Sequence, residues 1–141
     1  MASVLLNGFK KRIMDGSIDL DTDTIKVALL GGTYVADVDG HTFWSDVKAS
    51  EVSGTGYVSG GQALASKVVT QDNTADKASF DAADVTWSAS TITARYAVLY
   101  KDTGTATTSP LICCFDFGAD KSSSNGDFTI QWNAGGILTL T

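Results

Sequence analysis

From Ile25 onward, apolar residues recur at every second position in short segments, and clusters of turn residues close each segment. This period is that of a β-strand, whose successive side chains point to opposite faces. The first such run is 25–30, where Ile25, Val27 and Leu29 alternate before Gly31-Gly32. Further strands are read at 62–70, 76–81, 84–88, 91–101, 110–117, 127–132 and 137–141. Asp72-Asn73, Asp102-Thr103-Gly104, Ser122 to Gly126 and Gly135-Gly136 separate them. In 91–101, Ile92, Ala94, Tyr96, Val98 and Tyr100 fall on one face by simple alternation. Leu111, Cys113, Phe115 and Phe117 share a face of the next strand, and Phe128, Ile130 and Trp132 share one later. About eight strands at this spacing predict a mainly β fold, a jelly-roll-like antiparallel β-sandwich.

Composition agrees. Asp, Gly and Thr are poor interior helix formers, whereas Thr suits strands and Asp and Gly suit turns. The chain has 14 Gly, a single Pro (Pro110) and a single Glu (Glu51), so its acid is nearly all Asp. With 43% apolar residues and three Trp, it has the material for a packed core. The length of 141 residues fits one domain, and no linker or repeat divides it.

One helix is expected, over 2–15. At about 100° per residue, Ala2, Leu5, Leu6, Phe9 and Ile13 form one apolar stripe, with Gly16 placed as the stop. Lys10, Lys11 and Arg12 are spread around the cylinder and form no basic patch. The region 33–61 is less regular and rich in Gly and Asp. A short helix near Phe43–Lys48 and a strand around Tyr57 are expected within it. Nearly thirty residues without a clear strand is long for a loop, so an excursion or arm is the functional reading.

Several chemistries are disfavoured by the residues present. A net charge of −6 argues against a duplex nucleic-acid surface, and the aromatic residues interleave with Thr and Asp instead of Arg and Lys. No stretch approaches the apolar length that spans a bilayer, and the N-terminus lacks the order of a signal peptide. The adjacent Cys113 and Cys114 point to opposite strand faces and are read as small buried hydrophobes. His41 is the only histidine, and no Gly-x-Ser-x-Gly elbow exists. Asp19, Asp21 and Asp23 imitate the start of a calcium loop, but Thr24 and Leu30 occupy the positions that need Gly and Glu. Gly54, Gly56 and Gly60 approach a dinucleotide-binding spacing without the strand-then-helix context. The expectation is a protein without catalytic residues, cofactor or metal, working through surface contact.

Several segments together carry a resemblance. They are Ile18-Asp-Leu-Asp-Thr-Asp-Thr-Ile-Lys-Val-Ala-Leu29, Glu51-Val-Ser-Gly-Thr-Gly-Tyr57, Asp84-Val-Thr-Trp87 with Thr91-Ile-Thr-Ala-Arg95, and Tyr100-Lys-Asp-Thr-Gly104. The tail from Phe117 through Ser122-Ser-Ser-Asn-Gly126 to Trp132 belongs with them. The chain resembles small virion structural proteins of tailed bacteriophages, and most of all their capsid cement (decoration) proteins. The resemblance implies a jelly-roll sandwich made in the host bacterial cytoplasm that binds the exterior of the capsid as an oligomer. The implied partners are the major capsid protein and further copies of the chain, a dimer first and a trimer second. Candidate contact residues are Leu5, Phe9 and Ile13 of the helix and Tyr34, Phe43, Trp44 and Tyr57 of the excursion, since aromatics dominate interfaces. Core packing is the other reading for the aromatic residues among them. The alternative function is a tail or head-fibre jelly roll binding a host-surface glycan, with Trp44 as its platform.

Overall fold

The computed structural model describes all 141 residues. Its elements are, in chain order, β1 (Ala2–Leu5), α1 (Asn7–Met14), β2 (Ile25–Leu30), α2 (Trp44–Val47) and a 3-10 turn at Lys48–Ser50. Next come β3 (Gln62–Ala63), β4 (Val68–Asp72), β5 (Lys77–Asp81), β6 (Val85–Ser90) and β7 (Thr93–Lys101). A second 3-10 turn at Ala106–Thr108 leads to β8 (Leu111–Ser122), β9 (Gly126–Ile130) and β10 (Leu138–Leu140). Every strand pair is antiparallel. The strands form a five-stranded sheet β1-β8-β7-β2-β3, a three-stranded sheet β10-β5-β4 and a two-stranded sheet β6-β9. The expected mainly β, antiparallel fold is therefore observed. Its strands divide five, three and two, an order that does not itself establish the jelly-roll winding.

β2 lies inside the main sheet between β7 and β3, and five of its six residues are buried. Ile25, Val27 and Leu29 enter one core, together with Phe9 of α1 and with Phe80, Trp87, Phe128 and Ile130 from the smaller sheets. Ala28 and Leu30, from the opposite face, enter a second core with Leu6, Tyr34, Trp44, Val47 and Tyr100. The central sheet is thus covered on both faces. Phe128, Ile130 and Trp132 share the first core, as alternation predicted.

The helix expected over 2–15 begins only at Asn7, because residues 2–5 form an edge strand. Ala2 to Leu5 pair with Asp116 to Cys113 of β8 and supply hydrogen-bond partners along its edge. Extended chain also sends Leu5 and Leu6 to opposite sides, where Leu5 packs on the first core and Leu6 sits fully buried in the second. A helix started at residue 2 would have put both on one stripe. Gly16 ends the helical segment as expected, at φ 77°, a conformation that glycine adopts without steric cost.

Two alternation readings are corrected by bulges. In β7, Ala94 pairs with Lys121 but Tyr96 pairs with Asp116. This break sends Ile92 and Ala94 into the first core and Tyr96, Val98 and Tyr100 to the second. A second shift, between Leu99 and Tyr100, moves Leu111 to the second core while Cys113, Phe115 and Phe117 stay with the first. An inserted residue changes the face of everything beyond it. The strand read at 62–70 is split as well, with Ser66 at φ 55° between β3 and β4, which belong to different sheets.

The region 33–61 is not a projecting arm. It contains the expected short helix as α2, but no strand at Tyr57; isolated bridges tie Phe43 to Pro110, Glu51 to Leu30 and Thr55 to Thr91. Its apolar residues close the second core: Tyr34, Trp44 and Val47 are 4%, 6% and 2% exposed. The Trp44 ring stacks on Tyr100 with centroids 4.8 Å apart and planes 4° from parallel. The Trp44 N–H donates to the Ser109 carbonyl at 2.8 Å, fixing where α2 starts. Truncating this ring removes a stacked, buried aromatic, so Trp44→Ala should destabilise the protein by about 3–5 kcal/mol. Urea unfolding measures this, and a loss under about 0.5 kcal/mol would mark the surface behaviour that the fold excludes.

Candidate functional site

Glu51, the chain's single glutamate, follows the 3-10 turn and bridges to Leu30 at the end of β2, and both of its carboxylate oxygens accept hydrogen bonds. Its Oε1 accepts from the Tyr57 hydroxyl at 2.8 Å and the Gly60 N–H at 2.6 Å, and its Oε2 accepts from the Ser59 hydroxyl at 3.0 Å. The Tyr57 hydroxyl accepts in turn from the Leu29 N–H at 3.0 Å, while the Tyr100 hydroxyl donates to the Gly60 carbonyl at 2.6 Å. Next along the chain, Gly61 (φ 78°) presses against β2 so closely that a Cβ would stand 1.8 Å from the Val27 carbonyl oxygen. Only glycine fits there. Burial pushes the Tyr57 and Tyr100 phenols well above their ordinary range, which keeps both neutral as hydrogen-bonding groups. The Glu51 cluster is thus a clamp that holds segment 51–61 on the main sheet.

The other reactive residue types are also engaged within the fold. His41 Nδ1 accepts from the Asp37 N–H at 3.2 Å and lies 3.3 Å from the Tyr34 hydroxyl, with its ring stacked on that tyrosine. Both cysteines are free and buried; burial pushes the Cys114 thiol up to about 12 and that of Cys113 higher still. Neither is a thiolate near neutral pH. Asp46 accepts from the Phe43 and Thr42 N–H groups, which holds its carboxyl below the usual range. Asp102 is lowered by the Lys26 ammonium at 2.8 Å and the Gly104 N–H at 2.9 Å. Asp116 is lowered by the Gly118 N–H at 2.8 Å and by Arg95 at 3.2 Å.

Interaction between the neighbouring Asp19 and Asp21 carboxyls lowers the pKa of the first and raises that of the second. Asp23 instead pairs with Lys101 at 2.9 Å and accepts from the Asp19 N–H at 2.8 Å. No group of three or more His, Cys, Asp or Glu side chains is gathered so as to hold a metal ion. No helix is long and apolar enough to cross a membrane.

The seven contact candidates separate by exposure. Phe9, Tyr34 and Trp44 belong to the cores, so their aromatic surface is already used inside the molecule. Trp44, face to face with Tyr100, has no free ring to offer a glycan. Leu5 and Ile13 are half-buried against the first core, as is Tyr57, whose hydroxyl is taken by the Glu51 clamp. Phe43 is half-buried under the Arg12 guanidinium, 5.1 Å from its ring centre.

The exposed large apolar side chains are others: Met14, Val35, Val58, Val68, Val69 and Leu140, together with Met1. Val69 and Leu140 line an open groove of about 370 Å³ between α1 and the three-stranded sheet, floored by Phe9, Leu20 and Phe80. Sequence reasoning missed this groove, although the adjacent Val68 and Val69 were a signal, since consecutive strand residues cannot share one buried face. Comparison with known proteins found no matching family model, no matching curated relative and no matching solved structure.

Two measurements test this account. Glu51→Gln places an amide –NH₂ against donors and should cost about 1–3 kcal/mol, with faster hydrogen exchange in segment 51–61 before global unfolding. The carboxylates of Asp46, Asp102 and Asp116 have folded-state pKa values below the unfolded value of about 3.9. Their stabilisation is present above that value and is lost as pH falls toward the folded-state values. The melting temperature should therefore hold from neutral pH to about 5 and fall below about 4.

Proposed function

We propose that this is a virion structural protein, a capsid cement (decoration) protein that binds the outer surface of the major capsid shell and stabilises it as a homo-oligomer. The observation that carries the reading is how the chain spends its residues. Its sheet is packed on both faces, its glutamate and histidine are hydrogen-bonded within the fold, and its cysteines are buried. Seven large apolar side chains remain exposed, and two of them, Val69 and Leu140, line one groove. A stiff module with modest apolar contacts suits a protein that gains strength by occupying many equivalent sites. The sequence resemblance to phage cement proteins supports the same reading. Burial of Trp44 takes away the platform on which the glycan-binding alternative depended.

The test is to mix the purified full chain with shells assembled from the major capsid protein of the same phage. Saturable, stoichiometric coating of the shell exterior and a higher shell melting temperature are expected. Absence of binding, or detection of the protein only in tails, would overturn the reading.

A further inference from the structure

We propose that the free edge of β4, with the apolar groove beside it, is the surface through which a second copy of this chain associates. β4 pairs with β5 on one side only, in unbroken register from Val68–Asp81 to Asp72–Lys77, and all five of its residues are exposed. Soluble proteins blunt such an edge with proline, an inward charge, a bulge or a cover. Val68-Val69-Thr70-Gln71 carries no proline and no charge, and its ladder has no bulge. Cross-strand pairing puts Val69 in the row of Phe80 and Leu138, and Leu140 in the row of Ala78. Val69 and Leu140 nevertheless remain 47% and 49% exposed at the groove. The apolar side of this small sheet is therefore left open at both edges, by Val69 on β4 and by Leu140 on β10.

A second copy closes the β4 edge by symmetry. Two β4 strands paired antiparallel about a two-fold axis present the same edge to each other and close both, giving a continuous sheet β10-β5-β4-β4-β5-β10. The same rotation brings the Lys67 end of each strand beside the Asp72 end of the other. Each Lys67 ammonium, which donates to the Asp23 backbone carbonyl, then faces the Asp72 carboxylate of the other copy. A stable interface buries about 800 Å² per partner, more than a five-residue strand edge supplies, so the contact must also take in the groove. Ile13 and Leu20 line that groove, and Met14, 87% exposed, is the next residue along α1. This inference deepens the oligomer part of the proposed function, on which it rests only for the expectation of self-association; it does not require a capsid.

The experiment is sedimentation of the full chain over a concentration series, with Val69→Lys and with single cysteines at Val68, Val69, Thr70 and Gln71. A dimer is expected, with at least about tenfold weaker association for Val69→Lys, because an inward charge blocks edge pairing. Mild oxidation should link the cysteine variants into dimers, strongest where the two-fold register brings the paired Cα atoms within about 7 Å. The native cysteines are buried and do not compete. The cysteine series keeps the test decisive if Val69→Lys fails to fold. A chain that stays monomeric without cross-links overturns the proposal, as does a dimer indifferent to all five changes. So does a β4 edge that gains hydrogen-exchange protection only on adding the shell protein, which would assign it to a foreign strand. A monomeric Val69→Lys protein that still coats shells keeps the cement reading separate from this one.

Discussion

The rest of the structure depends on burying both faces of one five-stranded sheet. A sheet with one wet face needs a single cover, but β2 turns Ile25, Val27 and Leu29 to one side and Ala28 and Leu30 to the other. The smaller sheets and Phe9 of α1 supply the first cover from ordinary alternating strands. The second cover comes from 33–50, a segment with little regular structure of its own. It stays in place because the Trp44 and Tyr100 rings stack, an arrangement worth about 0.5–1.5 kcal/mol beyond the apolar area it buries. A covering loop must also satisfy its backbone groups. Asp46 does this for Thr42 and Phe43, and Asp37 for Asp39 and Gly40.

The acidic composition has the same explanation. Asp15, Asp72 and Asp102 each accept backbone N–H groups within the turns that they begin, Asp116 does the same for Gly118 inside β8, and Asp15, Asp102 and Asp116 also hold a cation. Carboxylates placed in this way stabilise the turns that connect the elements. Glu51 is the exception in reach. Its longer side chain ties three residues of one loop together beside the end of β2, a span that an Asp side chain would not cover.

Fold class was legible because alternation and turn chemistry are local. The run 25–30 matches β2 at both ends, and the Phe128-Ile130-Trp132 face lies in the first core as read. The readings that failed depended on something outside the segment. Residues 2–5 carry a helical stripe and yet form a strand, because β8 offers an open edge beside them. The face in 91–101 broke at a bulge that only the pairing of β7 with β8 reveals. From sequence, Tyr34 and Trp44 read as partner contacts, with core packing as the other reading, and both lie in the second core. The exposed groove was the hardest to see, since it is defined by Ile13, Val69 and Leu140, residues far apart in sequence.

By itself, the sequence determined that this chain is a mainly β protein with Asp and Gly at its turns and one short amphipathic helix. Those properties follow from backbone propensity and side-chain period, which act over a few residues. Only the tertiary structure decided which apolar residues are core and which remain exposed. Burial depends on whether another part of the chain arrives to cover a face. For Trp44 the ring of Tyr100 arrives; for Val69 and Leu140 nothing in the chain does.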